Sequence, residues 1–168
     1  MKRLWASWRM KYITKAEKET GCVFCNALAK KQDGDNLVVM RAERAFIILN
    51  KYPYTSGHIM VAPLAHTATL EDLDPATRAE MMELSSLCMS TLRKIYNPQA
   101  FNFGANIGEA AGAGVPGHVH LHIVPRWNGD TNFMSTVGEV RILPEDLAET
   151  YRRVRTYLGP MDDTKNTV

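Results

Sequence analysis

Three histidines, His118, His120 and His122, occupy every second position of the stretch Gly117-His118-Val119-His120-Leu121-His122-Ile123-Val124-Pro125-Arg126. The whole chain of 168 residues holds only five histidines. Imidazole is a nucleophile, a general acid–base group and a metal ligand, and its charge changes near neutral pH. Val119, Leu121, Ile123 and Val124 complete the alternation of a half-buried strand. Residues i, i+2 and i+4 of a strand share a face. The spacing therefore predicts a row of imidazoles about 6–7 Å apart, at a rise of ~3.3 Å per residue. One histidine on such a face is usually a hydrogen-bonded surface group. Three in register in a histidine-poor chain point to chemistry.

A second cluster is Gly21-Cys22-Val23-Phe24-Cys25. Two thiolates three positions apart in a tight turn can chelate one zinc ion. A redox pair is the rival reading, and two unliganded thiols the plainest one. Zinc would need two more nitrogen or sulfur donors. The candidates are His66, in Ala62-Pro63-Leu64-Ala65-His66, and His118.

The elements that must position these groups follow from periodicity. Residues 26–31 suggest a short helix and Gln32-Asp33-Gly34-Asp35 a turn. Leu37–Met40 and Ala45–Leu49 read as a hairpin across Arg41-Ala42-Glu43-Arg44. A polar loop runs from Asn50 to Gly57, and His58–Ala62 is the next strand. His58 reads here as a structural hydrogen-bonder, outside the catalytic set. Asp74 as N-cap and Pro75 at the first helical position open a helix to about Tyr96, stopped by Asn97-Pro98. Met81, Leu84, Cys88, Thr91, Leu92 and Ile95 form its apolar stripe. Phe101–Ala105 is a strand that leads into a loop, Asn106–Gly117. Four glycines among that loop's last ten residues allow close backbone approach to an anion. A final helix spans Pro144–Leu158, with Leu147, Tyr151, Val154 and Leu158 on one face and Gly159 as its stop. The order β-β-β-helix-β-β-helix predicts an α+β domain: an antiparallel sheet with helices packed on one side. Residues 1–168 read as a single domain, with an N-terminal arm over 1–20 and a C-terminal extension with a helix over 134–168.

The motif His118-Val119-His120-Leu121-His122-Ile123-Val124 resembles the histidine-triad (HIT) signature, and the resemblance extends from about Cys22 to Arg126. Leu4-Trp5 with Trp8-Arg9 is similar to the opening of a bacterial HIT branch related to diadenosine-tetraphosphate phosphorylases. The resemblance implies attack of the middle histidine, His120, on the α-phosphorus of a nucleotide, with His122 serving the phosphate oxygens and the leaving group. It implies that Asn50 binds the ribose hydroxyls and that Asn106 touches phosphate or ribose. Many members carry Gln and Ser or Thr late in the glycine-rich loop. Here Ala111-Gly112-Ala113-Gly114 stands instead, so backbone amides around Gly112, Ala113 and Gly114 would take over. Cys22, Cys25, His66 and His118 look like the structural zinc site of some HIT proteins and of galactose-1-phosphate uridylyltransferase. The family commonly pairs as homodimers with one larger sheet. The expected substrate is a dinucleoside polyphosphate, with phosphorolysis favoured over hydrolysis by the Trp-rich arm and the Trp127–Phe133 tail. A phosphoramidate or adenylate hydrolase, a signalling module with little turnover, and a zinc-dependent interaction module are the alternatives. Arg126 is evenly a surface charge or a phosphate contact.

Composition narrows the partners. A net charge of +2 with no Lys/Arg block argues against a nucleic-acid polymer. No apolar run approaches the ~20 residues that span a membrane. Lys2 and Arg3 are followed by no apolar stretch of a signal peptide. Three cysteines do not suggest a disulfide framework, and the expected compartment is a reducing cytoplasm.

Overall fold

The computed structural model describes residues 21–30, 32–130 and 145–159. Trp5, Trp8 and Arg9 of the N-terminal arm, Phe133 and Pro144 lie outside them. Five strands form one antiparallel sheet: β1 (Val38–Arg41), β2 (Ala45–Leu49), β3 (Ile59–Pro63), β4 (Ala100–Gly104) and β5 (Leu121–Arg126). Their spatial order is β1-β2-β3-β5-β4, so the histidine strand lies inside the sheet and β4 closes one edge. Three helices accompany them: α1 (Val23–Ala29), α2 (Pro75–Tyr96) and α3 (Leu147–Leu158).

Alternation in the strands divides the core in two. Ala45, Ile47, Leu49, Ile59, Val61, Leu121 and Ile123 face α2 and α3, meeting Met81, Leu84, Cys88, Leu92 and Val154. Phe46, Ile48, Met60 and Ala62 point the other way, against Phe24 and Ala27 of α1. The two long helices thus share one side, as the pattern predicts, and the short α1 covers part of the opposite face. His122 is paired with Met60 and Gly104, which sets it on the α1 side. The imidazole site is therefore built on the face the long helices leave open.

Local signals account for the helix ends. The Asp74 carboxylate accepts from the Thr77 N–H at 2.9 Å, and Asn97 closes α2 in the left-handed conformation at φ 46°. Replacing such a cap typically costs about 1 kcal/mol. The last helix starts at Leu147 rather than Pro144, because Asp146 takes the N-cap and accepts from the Glu149 N–H at 2.8 Å. It docks on α2 through Glu145, which accepts from the Tyr96 hydroxyl, the Thr150 hydroxyl and Arg153. The first helix starts at Val23, not near residue 26: Cys22 is its N-cap and Cys25 lies in its first turn. At its far end Arg41 donates to the carbonyls of Leu28 and Ala27 and forks onto Asp33 at 2.7 Å. A guanidinium that satisfies orphan helix carbonyls while paired to a carboxylate pins the helix to the sheet.

Candidate active site and metal cluster

The histidine stretch is not one continuous strand face. The β-structure begins at Leu121, and His118 and His120 lie in the extended segment just before it. The predicted even row is replaced by a split. His120 and His122 are close neighbours, ring centroids 4.8 Å apart at 67°, whereas His118 turns toward the two cysteines. Outside the ladder the backbone is released from the strict pleat, so the 6–7 Å spacing does not hold.

Each imidazole has an assigned partner. The buried His118 places Nε2 2.9 Å from the Pro63 carbonyl oxygen. A carbonyl only accepts, so the proton sits on Nε2 and the Nδ1 lone pair faces Cys22 Sγ at 3.3 Å and Cys25 Sγ at 3.7 Å. His66 Nδ1 lies 3.3 Å from Cys25 Sγ. One donor atom from each of Cys22, Cys25, His66 and His118 falls within 4.8 Å of the others. A tetrahedral zinc with bonds near 2.0–2.3 Å demands donor separations of about 3.3–3.8 Å. These residues could hold such an ion, and the His118–Pro63 bond is the outer-shell partner that orients a ligating imidazole. The cysteines reach this position from the start of α1, not from a tight turn.

His120 Nδ1 donates to the His118 carbonyl at 2.8 Å, which leaves Nε2 with its lone pair. Burial lowers its pKa, opposed by that hydrogen bond, so the ring is neutral at pH 7. Phe24 packs against His118 at 5.1 Å and His120 at 4.8 Å, and so joins the two groups through one buried ring.

His58 is the residue sequence reasoning left out. It is buried, and its Nδ1 accepts from the Tyr54 backbone N–H at 3.1 Å. Its proton is therefore on Nε2, 2.9 Å from His122 Nδ1. His122 accepts there, so its own proton is on Nε2. Burial first, and the neighbouring His120 second, pull the His122 pKa down to about 4. A chain of tautomers thus runs from a backbone amide through two neutral imidazoles. The signal available in sequence was that His58 is one of only five histidines. Its partner depends on the β3–β5 register, which local pattern does not reveal.

Around this pair lie the other expected residues. Asn50 follows β2; its Oδ1 accepts from the Tyr52 N–H at 2.9 Å and its Nδ2 lies 3.4 Å from His58 Nδ1. It organises the 50–58 loop. Gly57 in that loop has φ 79°, and an added Cβ would come within 3.0 Å of Leu92 and 3.1 Å of Tyr96. A side chain there would be strained by the positive φ and would require Leu92 and Tyr96 to give way. Asn106 leaves the sheet two residues beyond Gly104, which is opposite His122. In the glycine-rich loop, Gly112 has φ 83°, its N–H donates to Glu109 and the Ala113 N–H to Gly108. These two amides are engaged inside the turn; Gly114 lies exposed beside them. Arg126 forks onto Asp130 at 2.6 and 2.7 Å and donates to Asn102, so each of its three guanidinium nitrogens has a protein partner. Trp127 donates from its indole to the Tyr96 carbonyl.

Residues 31–129 match the HIT domain family. The chain belongs to that family. HIT relatives include an AP-4-A phosphorylase of Mycobacterium tuberculosis, 34% identical over 93% of this chain and 84% of that one. A bis(5'-nucleosyl)-tetraphosphatase (asymmetrical) of Schizosaccharomyces pombe is 31% identical over 55% of this chain and 50% of its own length. A solved Zn-bound HIT protein of Mycobacterium smegmatis superposes with a TM-score of 0.67 at 33% identity, covering 82% of this chain and 93% of that one. HIT relatives of this kind thus include enzymes named for dinucleoside tetraphosphates. Among the described residues, no helix is long and apolar enough to cross a membrane.

Proposed function

We propose that this HIT protein cleaves a dinucleoside polyphosphate such as diadenosine tetraphosphate at the α-phosphorus, through a nucleotidyl-histidine intermediate on His120. The observation that carries this reading is the His120 Nδ1–H bond to the His118 carbonyl, which leaves Nε2 neutral, unprotonated and 4.8 Å, ring to ring, from His122. The Nε2 lone pair forms the bond to phosphorus, and the bond from that phosphorus to the bridging oxygen breaks. The leaving polyphosphate takes the electron pair. The imidazole gains positive charge, which the carbonyl at Nδ1 stabilises. His122 offers Nε2–H to the bridging or non-bridging oxygens. With a pKa near 4 it is neutral at pH 7 and acts by donating a hydrogen bond rather than a whole proton. A polyphosphate leaves as an anion, so a full proton is not required. Inorganic phosphate or water then displaces the nucleotide from Nε2. Asn50 serves the ribose, and Asn106 with the exposed backbone at Gly114 serves the phosphates, since the Gly112 and Ala113 amides are engaged within the loop's own turn.

Cys22, Cys25, His66 and His118 would hold zinc, which supplies a structural crosslink between α1, the end of β3 and the His118 segment. A homodimer fits the exposed β4 edge, where Phe103 is 41% and nearby Ile107 40% exposed. The free thiols suit a reducing cytoplasm.

Phosphorolysis is the favoured second step. Attack by water is the alternative. Diadenosine tetraphosphate incubated with and without inorganic phosphate tests both. ATP with ADP only when phosphate is present means phosphorolysis, and ATP with AMP means hydrolysis. Tight binding with no turnover would overturn the enzymatic reading.

A further inference from the structure

Tyr54 stands at the mouth of the imidazole pair without any role so far. Its ring lies over His58 at 4.7 Å and 36°, and reaches His122 in a stacked arrangement at 6.3 Å and 26°. Both separations fall in the range of favourable aromatic pairing. One ring therefore spans both partners of the His58–His122 hydrogen bond. The His58 and Met60 side of that bond is buried, at 1% and 8% exposed, whereas on the β4 side Gly104 leaves His122 half-exposed. Tyr54 itself is 47% exposed, so core packing does not explain its place. Its ring covers one side of the hydrogen-bonded pair.

We propose that the Tyr54 ring is a positioning residue for His122. It roofs the His58–His122 hydrogen bond, keeps water from competing for His122 Nδ1, and so aims Nε2–H at the leaving oxygen. A hydrogen bond between neutral groups contributes little where water competes and more where water is excluded. The His122 Nε2–H bond that this pair aims strengthens as the leaving oxygen gains charge. The ring thus acts in the transition state more than in the bound substrate, and its loss should appear in kcat rather than KM. This inference rests on the proposed role of His122.

The test uses the full-length protein with Tyr54→Phe, Tyr54→Leu and Tyr54→Ala. Substrates are diadenosine tetraphosphate and a series of AMP aryl esters whose phenols differ in acidity. Tyr54→Leu keeps bulk but has no flat ring to lie across both imidazoles, and its kcat should fall on the order of tenfold, the scale of one hydrogen bond. Tyr54→Ala should fall further, and Tyr54→Phe should restore most of the rate. In all three KM stays within about twofold. The decisive readout is the leaving group: the loss should grow as the phenol becomes more basic and vanish for the most acidic one. An equal loss across the series would reduce Tyr54 to a structural residue and overturn the proposal, as would a change confined to KM. Trapping of labelled AMP on the protein, absent in His120→Ala, is run alongside. Its failure would sink the covalent reading itself, whereas trapping with a flat leaving-group series sinks only the role of Tyr54.

Discussion

His118 and His122 are four residues apart and of one type, yet they are set to opposite tasks. His118 donates outward from Nε2 to the Pro63 carbonyl, which turns its Nδ1 lone pair inward to two sulfurs. His122 accepts at Nδ1 from His58, which leaves its Nε2–H for a ligand. The first has a backbone partner and forms part of a donor cluster that could close around a metal. The second has a side-chain partner, and its Nε2–H points away from that partner. The tautomer, and with it the chemistry, is chosen by what each ring meets on its far side. His120 lies between and leans on both: its Nδ1 bonds to His118, and its ring abuts that of His122.

The contrast breaks most sharply at the centre. His120→Ala should lose about four orders of magnitude or more in turnover, with zinc content and melting temperature close to those of the parent. Cleavage assays, metal analysis and calorimetry check the three readouts. The next largest effect belongs to the metal side. Cys22→Ser should abolish stoichiometric zinc and lower unfolding stability by roughly 3–5 kcal/mol, measured by urea denaturation with metal analysis. If zinc loss left stability unchanged, the cluster would not be a structural crosslink. On the other side, His58→Phe keeps ring volume but removes the donor to His122. Its kcat should fall about 10–100-fold with zinc retained.

A smaller effect is pH-dependent. Burial pulls the pKa of His118, His120 and His122 below 6.5, to about 4 for His122. Between these values the unfolded chain binds more protons than the folded one, so stability falls as pH drops from 6.5 toward 4. Urea midpoints across that window, measured in Cys22→Ser so that metal release does not contribute, should show the decline, and His122→Phe should flatten it. The smallest change is Arg41→Ala, which uncaps α1 and should cost about 1 kcal/mol. A loss of zinc affinity in that variant would tie α1 anchoring to the cluster.

Much of this was legible in the chain. Asp74-Pro75 and Asn97-Pro98 bound α2 to the residue, because capping is local chemistry. The strands of the meander were placed within about two residues, which is the usual uncertainty of element ends. The motif named its histidines, and Cys22, Cys25, His66 and His118 do converge. The failures share a cause. Seven residues of α1 are too few for a period to emerge, so Cys25 was placed in a turn. The division of the triad into two tasks depends on Pro63 and His58, both far along the chain and brought near by sheet register. Local pattern places Tyr54 only in a polar loop, since its stacking on His58 and His122 requires the loop to fold back across the sheet.

Gly57 connects the ends of the molecule in a way that bears on truncation. Leu92 and Tyr96 crowd the side-chain position of this positive-φ residue, and it immediately precedes His58. Tyr96 in turn is held by Glu145, just ahead of the last helix. Ending the chain before residue 145 would thus slacken a brace that reaches the imidazoles through a single backbone position. A shortened protein should keep its sheet and its Cys/His cluster yet lose the set of the His58 segment, which makes the C-terminal helix a poor place to trim in crystallisation or fusion work.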